Sequence, residues 1–221
     1  MSNILIDTSI TLGRILRTKS LLWVCLCSLM AVASTWADAP ANTVAASEPH
    51  RLIDETTVKV IAVLKSGVDP VNKPEEFIQK LSVVLDPVVA FDFIAKGVMG
   101  QYAKQVSPEQ RKQFSKSFKQ GLVSTYGRGV SSFNDVDIVV LPPTKPLGNQ
   151  RSTTVVQEVR TSGGVNKVAY SMAKTRDNQW KMTNVVLNGI NLGQTFRSQF
   201  AATVSKNNGD VAKTINEWGK G

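Results

Sequence analysis

The sequence predicts an α+β protein: helices first, an antiparallel sheet second and helices last, with the helices covering the apolar face of a curved sheet. Three observations carry this. Apolar residues recur at helical spacing from about residue 48 to residue 133. They alternate singly with polar residues from about 136 to 187, and helical spacing returns after Asn191. No internal repeat or low-complexity tract interrupts this order, so residues 47–221 read as one domain.

Each element has its own signal. Ser47-Glu48-Pro49 supplies a cap residue and a first-turn proline, and Leu52, Ile53, Thr56, Val60, Val63 and Leu64 form the stripe of a first helix. Gly67 to Lys73 breaks the pattern, and Pro74-Glu75-Glu76 opens a second helix with negative charge where the helix dipole is positive. Asp86-Pro87 restarts the chain into an apolar segment from Val88 to Gly100. Ser107-Pro108-Glu109-Gln110 is a capping box that launches the longest helix, to about Phe133. Phe114, Phe118, Leu122, Tyr126 and Val130 step by four along it. Steps of four drift around a 3.6-residue helix, so the stripe is broad.

The period then changes to two. Val136, Ile138 and Val140 alternate with polar neighbours, as do Thr153, Val155, Gln157 and Val159. Gly163-Gly164 is a hairpin turn into Val168, Tyr170 and Met172, and Arg176-Asp177-Asn178-Gln179 is a second turn. Trp180 and Met182, then Val185 and Leu187, form a last strand with a kink near Thr183-Asn184. Three or four antiparallel strands with one apolar face result. Asn191 starts a helix through Phe196, Phe200 and Val204, and Asp210 to Trp218 is a final short one.

The first forty residues are of another kind. Arg14, Arg17 and Lys19 precede an apolar run from Leu21 to Ala33, followed by small residues. This is the pattern of a secretory signal peptide, and the run is shorter than the ~20 residues of a spanning helix. Cleavage fits after Ala37 or after Ala33; taking the former, residues 1–37 are the leader and 38–46 a flexible linker. Cys25 and Cys27 leave with the leader, so the exported chain has no disulfide and its core holds it together unaided.

Composition removes whole classes of chemistry. In 221 residues there are one His and two Cys, which excludes a multi-histidine metal centre and a disulfide framework. His50 reads as a solvated first-turn residue rather than a base. There is no phosphate-binding glycine loop, and no cofactor or metal is expected. Asp92, Asp137 and Glu158 are the carboxylates that an acid–base pair would draw on. The formal charge of +9 falls to +7 once Arg14, Arg17, Lys19 and Asp7 are removed, which suits a lipid phosphate or an anionic bilayer. The basic residues are scattered without an aromatic platform, so nucleic acid is not the expected partner.

Three segments resemble the MlaC family of periplasmic phospholipid carriers, also called the toluene-tolerance auxiliary family. The first is Phe93-Ile94-Ala95-Lys96-Gly97-Val98-Met99-Gly100-Gln101-Tyr102, running on into Ser107-Pro108-Glu109-Gln110-Arg111, Phe114, Phe118 and Thr125-Tyr126. The second is Trp180-Lys181 with Val185 and Asn188-Gly189-Ile190-Asn191-Leu192, and the third is Phe196-Arg197-Ser198-Gln199-Phe200. Their order spans roughly residues 50–220. In the family an acidic residue more often stands at position 188 and Ser at 191; these departures fall in a strand-to-helix turn. The resemblance implies an NTF2-like curved sheet with an added helical part, a phospholipid with its tails buried, and no catalytic activity. It also implies two partners, an outer-membrane lipoprotein–porin complex and an inner-membrane ABC transporter with its substrate-binding subunit, with only transient membrane contact.

A diacyl lipid exposes about thirty methylenes, worth on the order of 20 kcal/mol to hide at ~0.8 kcal/mol each. That requires an enclosed slot between sheet and helices. The inward strand residues Val140, Val155, Val159, Val168, Tyr170, Met172, Val185 and Leu187 are expected to floor it. Phe93, Val98, Phe114, Phe118, Leu122, Tyr126, Phe196 and Phe200 are expected to wall it. Two other readings remain open: an NTF2-like enzyme of the isomerase or dehydratase type, with a raised-pKa acid in the cone, and an interaction module whose interior is packed solid.

Overall fold

Three of the helices begin on side-chain caps, at Ser107, Asn191 and Asp210. In a computed structural model, which describes residues 47–69, 72–130 and 137–219 without the side chains of 123–130, the Ser107 box is closed from both sides. Gln110 N donates to Ser107 Oγ at 3.2 Å, and Ser107 N donates to Gln110 Oε1 at 2.9 Å. Asp210 and Asn191 accept from the backbone N–H three residues on, at 2.8 and 3.1 Å. The helices are α1 (Glu48–Lys65), α2 (Pro74–Leu85), α3 (Phe91–Met99), α4 (Pro108–Val130), α5 (Leu192–Lys206) and α6 (Val211–Glu217), with a 3-10 turn over Gly100–Lys104. The proposed leader and linker, Val136, and the side chain of Tyr126 within α4 lie outside the described residues.

At the start of α1 the hydroxyl of Ser47 does not cap the backbone. It is bonded to His50 Nδ1 at 2.7 Å. His50 is therefore buried, 5% exposed, rather than solvated as expected from the sequence, and desolvation lowers its pKa.

The strands are β1 (Asp137–Val140), β2 (Ser152–Thr161), β3 (Gly164–Lys174), β4 (Trp180–Leu187) and β5 (Ile190–Asn191), an antiparallel meander in sequence order. The fifth strand exceeds the expected count because two residues after the Asn188-Gly189 turn fold back onto Val186 and Leu187. Register puts the alternating apolar set on one face. Val155 lies opposite Tyr170, Tyr170 opposite Val185, and Val168 opposite Leu187. Met172 is opposite Met182, although Ser171 is opposite Asn184, so Thr183 is the extra residue of a bulge. That bulge is the kink near Thr183-Asn184, and it lets Met182 and Val185, three apart, face the same way.

Apolar side chains collect in three clusters. In the first, α3, α4, α5 and α6 bury Ala95, Val98, Met99, Phe114, Phe118, Phe200, Val204 and Ile215 among themselves. In the second, Ile53 of α1 packs on Val155, Met172, Trp180 and Met182. In the third, α1 and α2 meet around Phe77 and Leu81.

This corrects the expected walls. Val98, Phe114, Phe118 and Phe200 do not face the sheet floor; they fill a helical core of their own, each at most 1% exposed. Helical period says only that a residue points inward. Which element it meets depends on the packing, and here five aromatic rings pack on one another: Phe114 lies 4.9 Å from Phe200 and 5.4 Å from Trp218, and Phe118 lies 5.3 Å from Phe196. Phe93, also expected inward, is 64% exposed. It lies a third of a turn or more from each of Ala95, Val98 and Met99, the buried stripe of α3.

The first and third resemblance segments meet at one side chain. Arg197 Nε donates to Gly97 O at 2.7 Å, and its stem passes over Gly100, where a Cβ would lie 3.6 Å from Cδ. Gly100 has φ +56° and ψ −125°, a conformation closed to most side chains. Gly100→Ala is expected to destabilise the fold by about 1–3 kcal/mol, read as a lower urea midpoint at unchanged slope. An unchanged midpoint would show that the chain turns out of α3 without strain.

Candidate functional site

The apolar face of the sheet is buried at one end and half-buried at the other. At one end Val155 is 0%, Met172 1%, Ile53 2% and Trp180 4% exposed. Val140, Tyr170 and Val185 pack, partly buried, against that cluster. Further along the same face Val159, Val168 and Leu187 are half-buried and belong to none of the three clusters. Of the expected floor, the register therefore unites all eight residues, but only Val155 and Met172 are sealed.

A polar residue stands where the face changes. Gln157, 3% exposed, shares the face with Val155 and Val159 and sits opposite Val168. Tyr170 donates its hydroxyl hydrogen to Gln157 Oε1 at 2.7 Å, and Gln157 Nε2 donates to Thr57 Oγ1 on α1 at 2.8 Å. Thr57 in turn donates to Ile53 O at 2.8 Å. Sequence reasoning placed Gln157 on the inward face but assigned it no role; an amide flanked by inward valines was the available signal.

Burial pushes the Tyr170 phenol from 10.0 up to about 12. The folded protein therefore holds this proton more tightly than the unfolded chain does. Its stabilising effect is complete below pH 10 and is lost as pH rises toward about 12. Denaturant unfolding at about pH 9 and about pH 11 should show a loss of stability that Tyr170→Phe reduces. An equal loss in both proteins would show that other groups account for it.

A second hollow lies in the helical layer. A cleft of about 600 Å³ runs between α4, α5 and the residues after α6, lined by Phe118, Leu122, Phe196, Ala202, Trp218 and Glu217 among others. Leu122 and Phe196, expected as walls of the lipid slot, are half-buried at this edge of the helical core. Trp218, in contact with Phe114 and Phe200, was not among the expected lining residues.

The three carboxylates do not meet. Asp137 and Glu158 both bind Arg160, at 3.1 and 3.0 Å, in a network whose Asp137 and Arg160 side chains are 63% and 47% exposed. Asp92 accepts from Ser115 Oγ at 2.5 Å in the helical layer. Among the described residues no group of three His, Cys, Asp or Glu side chains is arranged to hold a metal, and no helix is long and apolar enough to cross a membrane.

Comparison with known proteins supplies the remaining observation. The MlaC protein family model matches residues 54–220. The chain belongs to the MlaC family. Among MlaC relatives, the toluene tolerance protein ttg2D of Pseudomonas putida is 34% identical over 181 residues, 81% of this chain and 83% of that protein. The intermembrane phospholipid transport system binding protein MlaC of Haemophilus influenzae is 19% identical over 155 residues, 68% of this chain and 72% of that one. A solved phospholipid-binding protein of Ralstonia solanacearum, determined in complex with a phospholipid, superposes with a TM-score of 0.68 at 22% identity. That match covers 79% of this chain and 98% of the other. It establishes the fold: the MlaC mixture of helices with an antiparallel sheet.

Proposed function

We propose that this protein is a periplasmic phospholipid carrier and not an enzyme. The observation that carries the reading is the unsealed half of the sheet face: Val159, Val168 and Leu187, set on one face by register, are only half-buried and belong to none of the three apolar clusters. Two acyl chains laid there would recover on the order of 20 kcal/mol. Val140, Tyr170 and Val185 extend this floor, and Leu122, Phe118 and Phe196 line the neighbouring helical cleft.

In this reading residues 1–37 are a leader removed on export, 38–46 a linker and 47–221 an NTF2-like lipid-carrier domain with an added helical part. The carrier takes phospholipid between an outer-membrane lipoprotein–porin complex and an inner-membrane ABC transporter with its substrate-binding subunit, and so maintains the lipid asymmetry of the outer membrane. Tails leave at a partner that opens the slot, since release into water would forfeit the burial energy. The basic balance, +9 over the whole chain, favours the anionic headgroup and membrane surface at either end.

Native mass spectrometry with lipid extraction, on protein purified from the periplasm, tests the reading. Stoichiometric phospholipid is the expected result. A protein that emerges lipid-free after gentle purification and takes up none from vesicles is not a carrier.

A further inference from the structure

We infer that the Thr57–Gln157–Tyr170 network is the end wall of the lipid slot, and that Gln157 sets how long an acyl chain the protein accepts. This rests on the carrier reading. The network lies at the boundary between the two halves of the sheet face. Behind it Val155, Met172 and Ile53 are at most 2% exposed, so no hydrocarbon enters there. Val168 and Leu187 stand level with Gln157 across the sheet, Val159 lies two residues beyond it along β2, and all three are half-buried.

The wall is held in place. Its hydrogen bonds run in one direction, from the Tyr170 hydroxyl to the Gln157 carbonyl, from the Gln157 amide to the Thr57 hydroxyl, and from that hydroxyl to Ile53 O. Swinging Gln157 aside would strand a hydroxyl and both ends of an amide in an apolar interior, which is strongly disfavoured. A chain terminus offers nothing to replace those bonds. Beyond Thr57, α1 gives its apolar residues Val60, Val63 and Leu64 to Phe77 and Leu81 of α2 rather than to the sheet. The clamp thus bonds α1 to the sheet at Gln157, where the face passes from buried to half-buried.

The test compares the wild type with a triple variant, Thr57→Val, Gln157→Ala and Tyr170→Phe, which shortens the wall and leaves no orphan polar group. Both are loaded from vesicles of equimolar dipalmitoleoyl and dioleoyl phosphatidylethanolamine, and bound lipid is extracted and weighed by mass spectrometry. Truncating Gln157 makes room for about two methylenes, so the variant should favour the longer lipid by about tenfold relative to wild type. A folded, loaded variant with the wild-type ratio overturns the inference. Val168→Met adds bulk directly across from Gln157, at the level of the wall, and should shift the ratio toward the shorter lipid. Should the triple variant fail to fold, an unshifted ratio in Val168→Met overturns the inference. A wild type that carries no phospholipid overturns the carrier reading itself, whereas a loaded wild type with unshifted variants overturns only the wall.

Discussion

Phe200→Ala is expected to lower the free energy of unfolding by about 3–5 kcal/mol, the upper range for a single core substitution. Phe200 is 0% exposed and lies at the centre of the helical core. Its ring meets Phe114 edge-on at 4.9 Å, Trp218 at 5.6 Å and Tyr102 at 6.0 Å. Truncation removes the buried ring and leaves a cavity bounded by three other aromatic residues. These come from α4, the 3-10 turn and the segment after α6, so their backbones cannot all close on the gap. Urea unfolding monitored by far-UV circular dichroism measures the loss. A change below about 1 kcal/mol would mean that the core is plastic and that the four helical elements are not mutually locked.

Val168→Asp should abolish phospholipid loading while the protein stays folded. Val168 is half-buried, directly across the sheet from Gln157, so the introduced carboxylate keeps access to water in the empty protein. Acyl chains over the same spot would strip that water from an unpaired charge, which costs several kcal/mol and corresponds to a loss of affinity of at least about a hundredfold. Val155→Asp is the control. Val155 is 0% exposed within the Ile53–Met172 cluster, so the same charge there should unfold the domain outright. Fluorescent-lipid binding and thermal unfolding, measured together, separate the two effects. If both variants unfold alike, the face is uniformly packed and the slot does not lie where Val168 is. If Val168→Asp loads normally, the tails run elsewhere, and the helical cleft beside Phe118 and Leu122 becomes the better site.

Local structure was largely legible because its causes are local. The Ser107 box, the Asp210 and Asn191 caps, and the change of period at the first strand each depend on residues within a turn or two of one another. The same holds for the alternation that set Val140, Val155, Val168 and Leu187 on one face, since a strand has only two faces to choose from. The Thr183 bulge was visible as a break in that alternation between Met182 and Val185.

The helical aromatics were not legible in the same way. A helix can turn its apolar stripe toward any neighbour, and spacing does not name the neighbour. Phe114, Phe118 and Phe200 read as walls of a slot, but they pair with one another and with Trp218 in a separate core. Phe93 sits in the apolar run Phe93-Ile94-Ala95 yet points away from the buried stripe, because three successive residues cannot all face one side of a helix. His50 looked solvated from its place near the chain's start; only the fold buries it.

From its residues alone the chain specified most of its helices, which residues its main strands set on one face, and its family, since caps, periods and motifs act over short distances along the backbone. How the apolar side chains of the described residues divide into three clusters, and that Gln157 clamps α1 to the sheet where the face passes from buried to half-buried, were decided by tertiary packing. Thr57 and Gln157 lie 100 residues apart, and no short-range rule links them; they meet because the meander and α1 enclose a common interior, where a buried amide is costly unless it is hydrogen-bonded.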